Sequence, residues 1–467
     1  MNIYFHVDEM NRDAITASAF SKVAKANGWR VILGNRNLGT LLPFFEKYFD
    51  VVILPKPTFF TSFFDRSMVP KLKSKYVMLY TEQIGIMTSN DFPQLALRQM
   101  LDKEYMSGDT RYVDKVSAFC FWSNQARKIV VGKFPELESR SHVVGHPRHD
   151  LTANPIINKS GDRQNKSIGI VTRAVLLNDY FGRNPLENIV ENLKNVKIGG
   201  VLEYENETTG ESFVSQIRGS NPKNDVLLEA IDFENMVLVI EKLLLLDYKI
   251  SLKLHPKEDP DLYHKVFGSE NMNVRIAPSG QPFANWAQHQ KYIIGPPSTS
   301  FYDAFLVGTL PISTSLLNSK RSDFVPEMYE DKNQLMNEVF KPTDFQELVD
   351  FVTNTTDLEY KNLLQNPRIT QILRNEVNYP YQTESLDRLA RVIRNLGIEK
   401  KKSVRNRLGI SLFVLCANLV SEFRYPYLRI KEIFSGKKYL NSASFIMNFA
   451  NRRRIRTLSS RLDLDLR

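Results

Sequence analysis

Short apolar runs recur through the first two-thirds of the chain. Most are closed by a glycine or a polar or charged turn, and stretches of helical periodicity lie between them. The runs "IYFHV" (3–7), "GWRVILG" (28–34), "DVVIL" (50–54), "YVMLY" (76–80), "AFCFW" (118–122) and "SHVVG" (141–145) are about as long as single strands. They lack the strict apolar–polar alternation of a sheet with one wet face. Between the first two, Ile15, Phe20, Val23 and Ala26 recur at helical spacing, and Gly28 ends the pattern. Runs of this kind, separated by helices, belong to a parallel sheet covered on both faces.

The pattern restarts after the polar stretch "NKSGDRQNKS" (158–167). It continues with "IGIV" (168–171), a helix expected over 233–246, "KISLKL" (249–254), "NVRI" (273–276), "KYIIG" (291–295), a helix from about 303, and "LPIS" (310–313). A chain of 467 residues is too long for one core. The expected class is therefore α/β, with two Rossmann-like doubly wound domains facing a cleft, over residues 1–160 and 161–385. A helical, basic tail is expected over 386–467. Ligands of such folds bind outside the carboxyl ends of the strands. The G-x-G-x-x-G fingerprint is missing after the first strand, which argues against a dinucleotide oxidoreductase.

Charge and cysteine content narrow the partners. The formal net charge is +10, and Lys400-Lys401-Lys402, Arg405, Arg407, Lys437-Lys438 and Arg452-Arg453-Arg454 concentrate it late in the chain. A basic tail fits an anionic membrane surface, a nucleic acid, or mere solubility. No aromatic-bearing basic face accompanies it, so nucleic acid is not the expected partner. The apolar stretch "LGISLFVLCANLV" (408–420) is shorter than the roughly 20 residues a bilayer needs, and suits either an interfacial or a packed helix. The start reads as a strand and not as a secretory signal, and the two cysteines, Cys120 and Cys416, lie far apart. A reducing cytoplasm is the expected compartment.

The chemistry-bearing residues crowd the strand ends. "HVDEMNRDA" (6–14) puts Asp8, Glu9, Arg12 and Asp13 in one turn; Asp13 or Asn11 as helix cap is the plainer reading. "YTEQIG" (80–85) delivers Glu82, a carboxylate placed to act as a general base. In "GHPRHDL" (145–151), Arg148 is an anion binder by type, or simply a partner for Asp150. "GIVTRA" (169–174) ends on Thr172-Arg173, suited to a nucleotide phosphate, with a surface arginine as the other reading. "KLHPKED" (253–259) sets His255 and Pro256 at a strand tip between two lysines. "GPPSTSFYD" (295–303) offers Ser298, Thr299 and Ser300 at a helix start, where a plain cap needs one hydroxyl.

Taken together, these landmarks resemble the bacterial surface-carbohydrate biosynthesis proteins, a glycosyltransferase-like family of GT-B architecture. "VDEMNRDA", "YTEQIG", the stretch ending "GHPRHDL", "KLHP" and "PPSTSFYDAFLVGTLPI" follow in the family's order over about residues 1–320. The His-Pro and Ser/Thr segments are also similar to those of enzymes using CMP-activated sugars, the sialyl-, polysialyl- and Kdo transferases. The resemblance implies that His255 and Pro256 contact the nucleotide, that His255 assists its departure, and that Ser298, Thr299 and Ser300 hold its phosphate. It places Glu82 where the base lies. Gln83 stands where a second carboxylate is common, which leaves Asp13 as the alternative base. Glu9, Arg12 and Arg148 become substrate-binding candidates.

The expected activity is metal-independent glycosyl transfer without a cofactor. The donor would be a nucleotide-sugar, a CMP-linked Kdo or sialic-type acid, and the acceptor a lipid-linked glycan or oligosaccharide of capsule or lipopolysaccharide. The enzyme would be peripheral to the inner membrane through its tail. Two alternatives stand beside this reading: a CDP-polyol phosphotransferase of teichoic-acid type, and a non-catalytic assembly factor keeping the GT-B shell.

Overall fold

The computed structural model describes residues 1–7, 13–34, 36–55, 63–64, 66–79, 112–152, 167–178, 185, 222–255, 258–267, 273–278, 281–318, 334–377, 384–398, 408–416 and 434. Among the described residues eleven strands form two parallel sheets, and the fold class is the expected α/β one of two doubly wound units. All eleven coincide with the apolar runs to within about two residues at each end.

The first sheet contains β1 (Asn2–His6), β2 (Arg30–Gly34), β3 (Val51–Leu54), β4 (Lys75–Leu79), β5 (Val116–Phe121) and β6 (Ser141–Val143), in the order β2-β1-β3-β4-β5-β6. Side chains alternate between two buried layers. Ile3, Phe5, Val51, Ile53, Val77 and Leu79 point to one side; Tyr4, Val52, Leu54, Tyr76 and Met78 point to the other. Helix α1 (Ile15–Ala26) covers the first layer with Ala17, Phe20 and Ala24. It ends at Gly28, whose φ of 70° only glycine adopts without strain.

Later parts of the chain complete both layers. Leu386, Leu389, Ala390 and Ile393 pack beside α1 on the first layer. On the opposite layer lie Ile410 and Phe413 from the helical residues 408–416, both fully buried. The Phe413 ring meets Tyr4, Phe45 and Phe49 edge-on, at centroid distances of 6.0, 5.4 and 5.3 Å. Of the two readings of "LGISLFVLC", packing is therefore realised along one face. By contacts, the first unit comprises Met1–Leu151 and a return segment that begins at Gln371; the second begins at Thr152.

The second sheet contains β7 (Ser167–Val171), β8 (Lys249–Lys253), β9 (Val274–Ile276), β10 (Tyr292–Gly295) and β11 (Leu310–Ser313), in the order β11-β10-β7-β8-β9. β7 sits in the middle, between β10 and β8. Helix α2 (Pro222–Leu244) starts eleven residues before the expected 233, and α3 (Ser300–Leu306) starts three before the expected 303. Propensity alone marks such ends poorly, because packing against the sheet decides them.

Candidate functional site

From β7 the chain places β8 and then β9 on one side and afterwards crosses back to place β10 and β11 on the other, so the order reverses between β7 and β10. In open α/β sheets that switch point opens a crevice at the carboxyl ends of the two strands. A narrow hollow lies there, lined among others by Thr172, Arg173, Asp232, Phe233, Gly295 and Pro296. Gly295 is required by the close approach of the strands. A Cβ on it would sit 2.4 Å from Val171 Cγ2 and 2.7 Å from the Val171 carbonyl oxygen.

The turn leaving β7 is tied down from two directions. Glu258, buried just beyond the His255 turn, accepts at Oε2 from the Thr172 hydroxyl and from the Tyr263 hydroxyl, each at 2.6 Å. Its Oε1 accepts from the Ala174 N–H, also at 2.6 Å. Burial pushes this carboxyl above its usual range, and the donors from Ala174, Thr172 and Tyr263 pull it back. From α2, Glu229 Oε2 accepts from the Leu176 N–H at 2.6 Å. Burial raises Glu229 to about 7, against the opposing pull of that N–H and of the Arg173 charge. Asn178 Nδ2 adds a bond to the Asp259 carbonyl at 2.7 Å.

These ties join two of the predicted sites. The His255 N–H donates to Thr172 Oγ1 at 3.1 Å, linking the tip of β8 to the tip of β7. The His255 side chain is exposed at that tip. Lys253, one of the flanking lysines, is anchored: its Nζ donates to the carbonyls of Gln281 at 2.6 Å and Pro278 at 3.0 Å. Burial lowers its pKa to about 8. It fixes the loop beyond β9.

Beyond β10, Ser298, Thr299 and Ser300 are half-buried. Ser298 Oγ accepts from the Ser300 N–H at 3.2 Å and from the Ser300 hydroxyl at 2.9 Å, so this oxygen is engaged in starting α3. The triplet follows β10, the neighbour of β7, and so shares the sheet edge with Thr172 and His255.

In the first unit the N-cap position of α1 falls on Ala14, and Asp13 is fully buried; Asn11, the other cap candidate, lies outside the described residues. The cap reading of Asp13 is thereby corrected: the chain tucks its side chain into the interior ahead of the first turn. Arg148 is half-buried, and its N–H donates to His146 Nδ1 at 2.9 Å. The Arg148–Asp150 pairing gives way to another. Asp150 accepts from the Ser385 hydroxyl at 2.8 Å, the Ser385 N–H, and the Leu386 N–H at 3.3 Å, so it caps helix α4 (Ser385–Arg394) from outside. Burial raises this carboxyl to about 7. Glu9, Arg12, Glu82 and Pro256 lie outside the described residues.

Sequence reasoning passed over Glu229, Asp232, Glu258 and Tyr263. Glu258 stood within the quoted "KLHPKED" and read only as turn charge. Glu229 and Asp232 lay ahead of the expected start of α2. Among the described residues, no group of three His, Cys, Asp or Glu side chains could hold a metal ion.

No protein-family model matches the chain, and no curated protein matches it. Solved structures do. A UDP-GlcNAc 2-epimerase from Methanocaldococcus jannaschii, in complex with UDP-GlcNAc and UDP, is 13% identical with a TM-score of 0.44, over 84% of this chain and 99% of that one. The wall teichoic acid polymerase TagF, in a variant soaked with CDPG, is 12% identical with a TM-score of 0.47, over 85% and 89%. The S. aureus MnaA–UDP structure is 13% identical with a TM-score of 0.45, over 86% and 98%. At such values the likeness is one of general arrangement, and the chemistry rests on this chain's own residues.

Proposed function

We propose that the chain is a glycosyltransferase of bacterial surface-polysaccharide synthesis, moving a Kdo or sialic-type acid from a CMP-linked donor to a lipid-linked or oligosaccharide acceptor. One observation carries the reading: the hollow at the switch point of the second sheet, with Thr172 and Arg173 in its wall and Thr172 hydrogen-bonded to the His255 turn. A nucleotide phosphate needs a cation and fixed donors at a strand edge, and this edge has both.

In this reading the nucleotide lies along the tips of β7, β8 and β10. Arg173 and the hydroxyls of Ser298 and Thr299 meet its phosphate; the Ser300 hydroxyl already donates to Ser298 Oγ, and Ser298 keeps its own O–H for the phosphate. His255 donates a hydrogen bond to the departing phosphate oxygen, and in its protonated form offsets the charge that develops there. The bond from the anomeric carbon to the phosphate oxygen breaks, and the acceptor oxygen bonds to that carbon. The acceptor's proton passes to a carboxylate, and CMP departs. Glu82 is assigned that proton, with Asp13 as the alternative carboxylate. Glu9, Arg12 and Arg148 are kept as acceptor- or donor-binding candidates, and Pro256 holds the imidazole turn. The enzyme works at the inner face of the inner membrane, where a lipid-linked acceptor resides.

The test is turnover of CMP-Kdo and CMP-sialic acid with CMP release as readout. Release with either donor, lost in His255→Ala, supports the reading. No binding and no turnover of either sinks the donor assignment. Polymer growth from CDP-glycerol, with phosphate in the product, would make the chain a phosphotransferase. Unchanged surface polysaccharide in cells carrying folded His255→Ala or Glu82→Ala would make it a binding factor.

A further inference from the structure

We infer that Glu258 is a positioning residue of the nucleotide site: one buried carboxylate that holds both Arg173 and His255 in place for the phosphate. The inference rests on the nucleotide site of the reading above, though not on its base or its sugar.

Arg173 and His255 stand on different strand tips, both past the end of sheet pairing. β7 ends at Val171 and β8 at Lys253. The Thr172 N–H still donates to the Lys253 carbonyl, at 3.2 Å. Past that bond, backbone groups need other partners. Glu258, only 3% exposed, supplies them. Its Oε2 accepts from the Thr172 hydroxyl and its Oε1 from the Ala174 N–H, both at 2.6 Å. Those two donors belong to the residues before and after Arg173, so the two oxygens of one carboxylate brace its backbone from both sides.

His255 is held through both of its own peptide groups. Its N–H donates to Thr172 Oγ1 at 3.1 Å, and its carbonyl accepts from the Glu258 N–H at 3.0 Å. The carboxylate takes the Thr172 hydrogen and so leaves a lone pair of that hydroxyl for the His255 N–H. A closed ring of bonds runs from His255 through Thr172 and Glu258 back to His255. A turn after β8 needs only the bond from the Glu258 N–H to the His255 carbonyl. It does not need a carboxylate that reaches residues 86 and 84 positions earlier in the chain.

The donor set also selects a carboxylate. Two hydroxyls and one N–H point at it, the second hydroxyl being that of Tyr263 at 2.6 Å. Only an ionised carboxylate accepts at both ends with no hydrogen of its own. Tyr263 is fully buried in the helix Pro260–Phe267 and anchors the group to the interior. Glu258 thus acts on the two cations through their backbone.

The test is a mutant cycle on nucleotide affinity. Glu258→Gln keeps the volume but sets an NH₂ group against either the Ala174 N–H or the two hydroxyls. Binding of CMP, UMP and CDP is followed by NMR titration in wild type, Glu258→Gln, Arg173→Ala/His255→Ala, and the variant combining all three changes. Glu258→Gln should weaken binding about tenfold in the wild-type background, and less than about twofold where Arg173 and His255 are already gone. A merely structural role would give the same fold loss in both backgrounds, and that result overturns the inference. So does a Glu258→Gln protein that binds like wild type. Tyr263→Phe takes one donor from Glu258 and keeps the ring in place. It should weaken binding about threefold, again only with Arg173 and His255 present, and it carries the test if Glu258→Gln does not fold. Binding of UMP or CDP but not CMP, with the cycle as expected, would sink the CMP-linked donor and leave this inference standing. Binding of CMP without that coupling would do the reverse, and a wild type that binds no nucleotide would overturn both.

Discussion

The His255 N–H donates to Thr172 Oγ1 at 3.1 Å, and the same hydroxyl donates to the buried carboxylate of Glu258 at 2.6 Å. One side-chain oxygen thereby joins the tips of two adjacent parallel strands. Thr172→Val keeps the volume and deletes both bonds, leaving Glu258 one donor short in a buried place. The expected loss is about 1–3 kcal/mol in urea unfolding. CMP affinity should fall as well, because the His255 turn loses its tether.

His255→Ala separates site from scaffold. The side chain is exposed, so stability should change by no more than about 0.5 kcal/mol. Nucleotide binding measured by calorimetry should weaken by about tenfold or more, the size of one hydrogen bond to a charged group. A variant that binds CMP like wild type would remove His255 from the site.

Gly295→Ala places a methyl group against the Val171 carbonyl, and backbone cannot swing aside as a side chain can. Overpacking of this kind costs about 1–3 kcal/mol. The strands must also part at the switch point, so thermal stability and nucleotide affinity should decline together.

Asp150→Ala should destabilise the first unit by about 1–2 kcal/mol, the usual cost of a lost helix cap. The donors Ser385 and Leu386 would be left at the start of α4, whose Leu389 and Ile393 are fully buried. Asp150→Asn, which keeps an acceptor oxygen, should recover part of that loss.

Glu229 and Asp150 are both raised to about 7 by burial, so each binds a proton in the folded state at pH values where the unfolded chain has released it. The sign follows: stability falls as pH climbs from the unfolded carboxylate range through about 7, and levels off above it. For Glu229 the full change is at most about 3 kcal/mol. Glu229→Gln keeps an oxygen for the Leu176 N–H and removes the titration. Its urea midpoint should therefore vary less between pH 5 and 8 than that of wild type, as a plot of midpoint against pH would show.

Much of the fold could be read along the chain. β8 was expected at 249–254 and β11 at 310–313, and the strands are Lys249–Lys253 and Leu310–Ser313. The early start of α2 escaped notice because its first turns carry acids, Glu229 and Asp232 among them, where an apolar helix face was sought. At the site, Thr172 and His255 are legible as strand tips, but nothing local distinguishes Glu258 from its charged neighbours in the turn. Its burial depends on Thr172 and Tyr263 closing over it, and Thr172 lies 86 residues away.

The sequence by itself determined where strands begin and end, because a buried parallel strand must be apolar along its whole length and that is a local property. It also put hydroxyl, guanidinium and imidazole groups at strand ends. Only the tertiary structure decided that β10, β7 and β8 are neighbours in that order, which brings those ends to one edge. It alone turned one face of residues 408–416 inward onto Tyr48 and Phe49 and left three leucines outside. Strand order and helix seating are set by contacts between segments tens to hundreds of residues apart, and no local periodicity encodes which segments will meet.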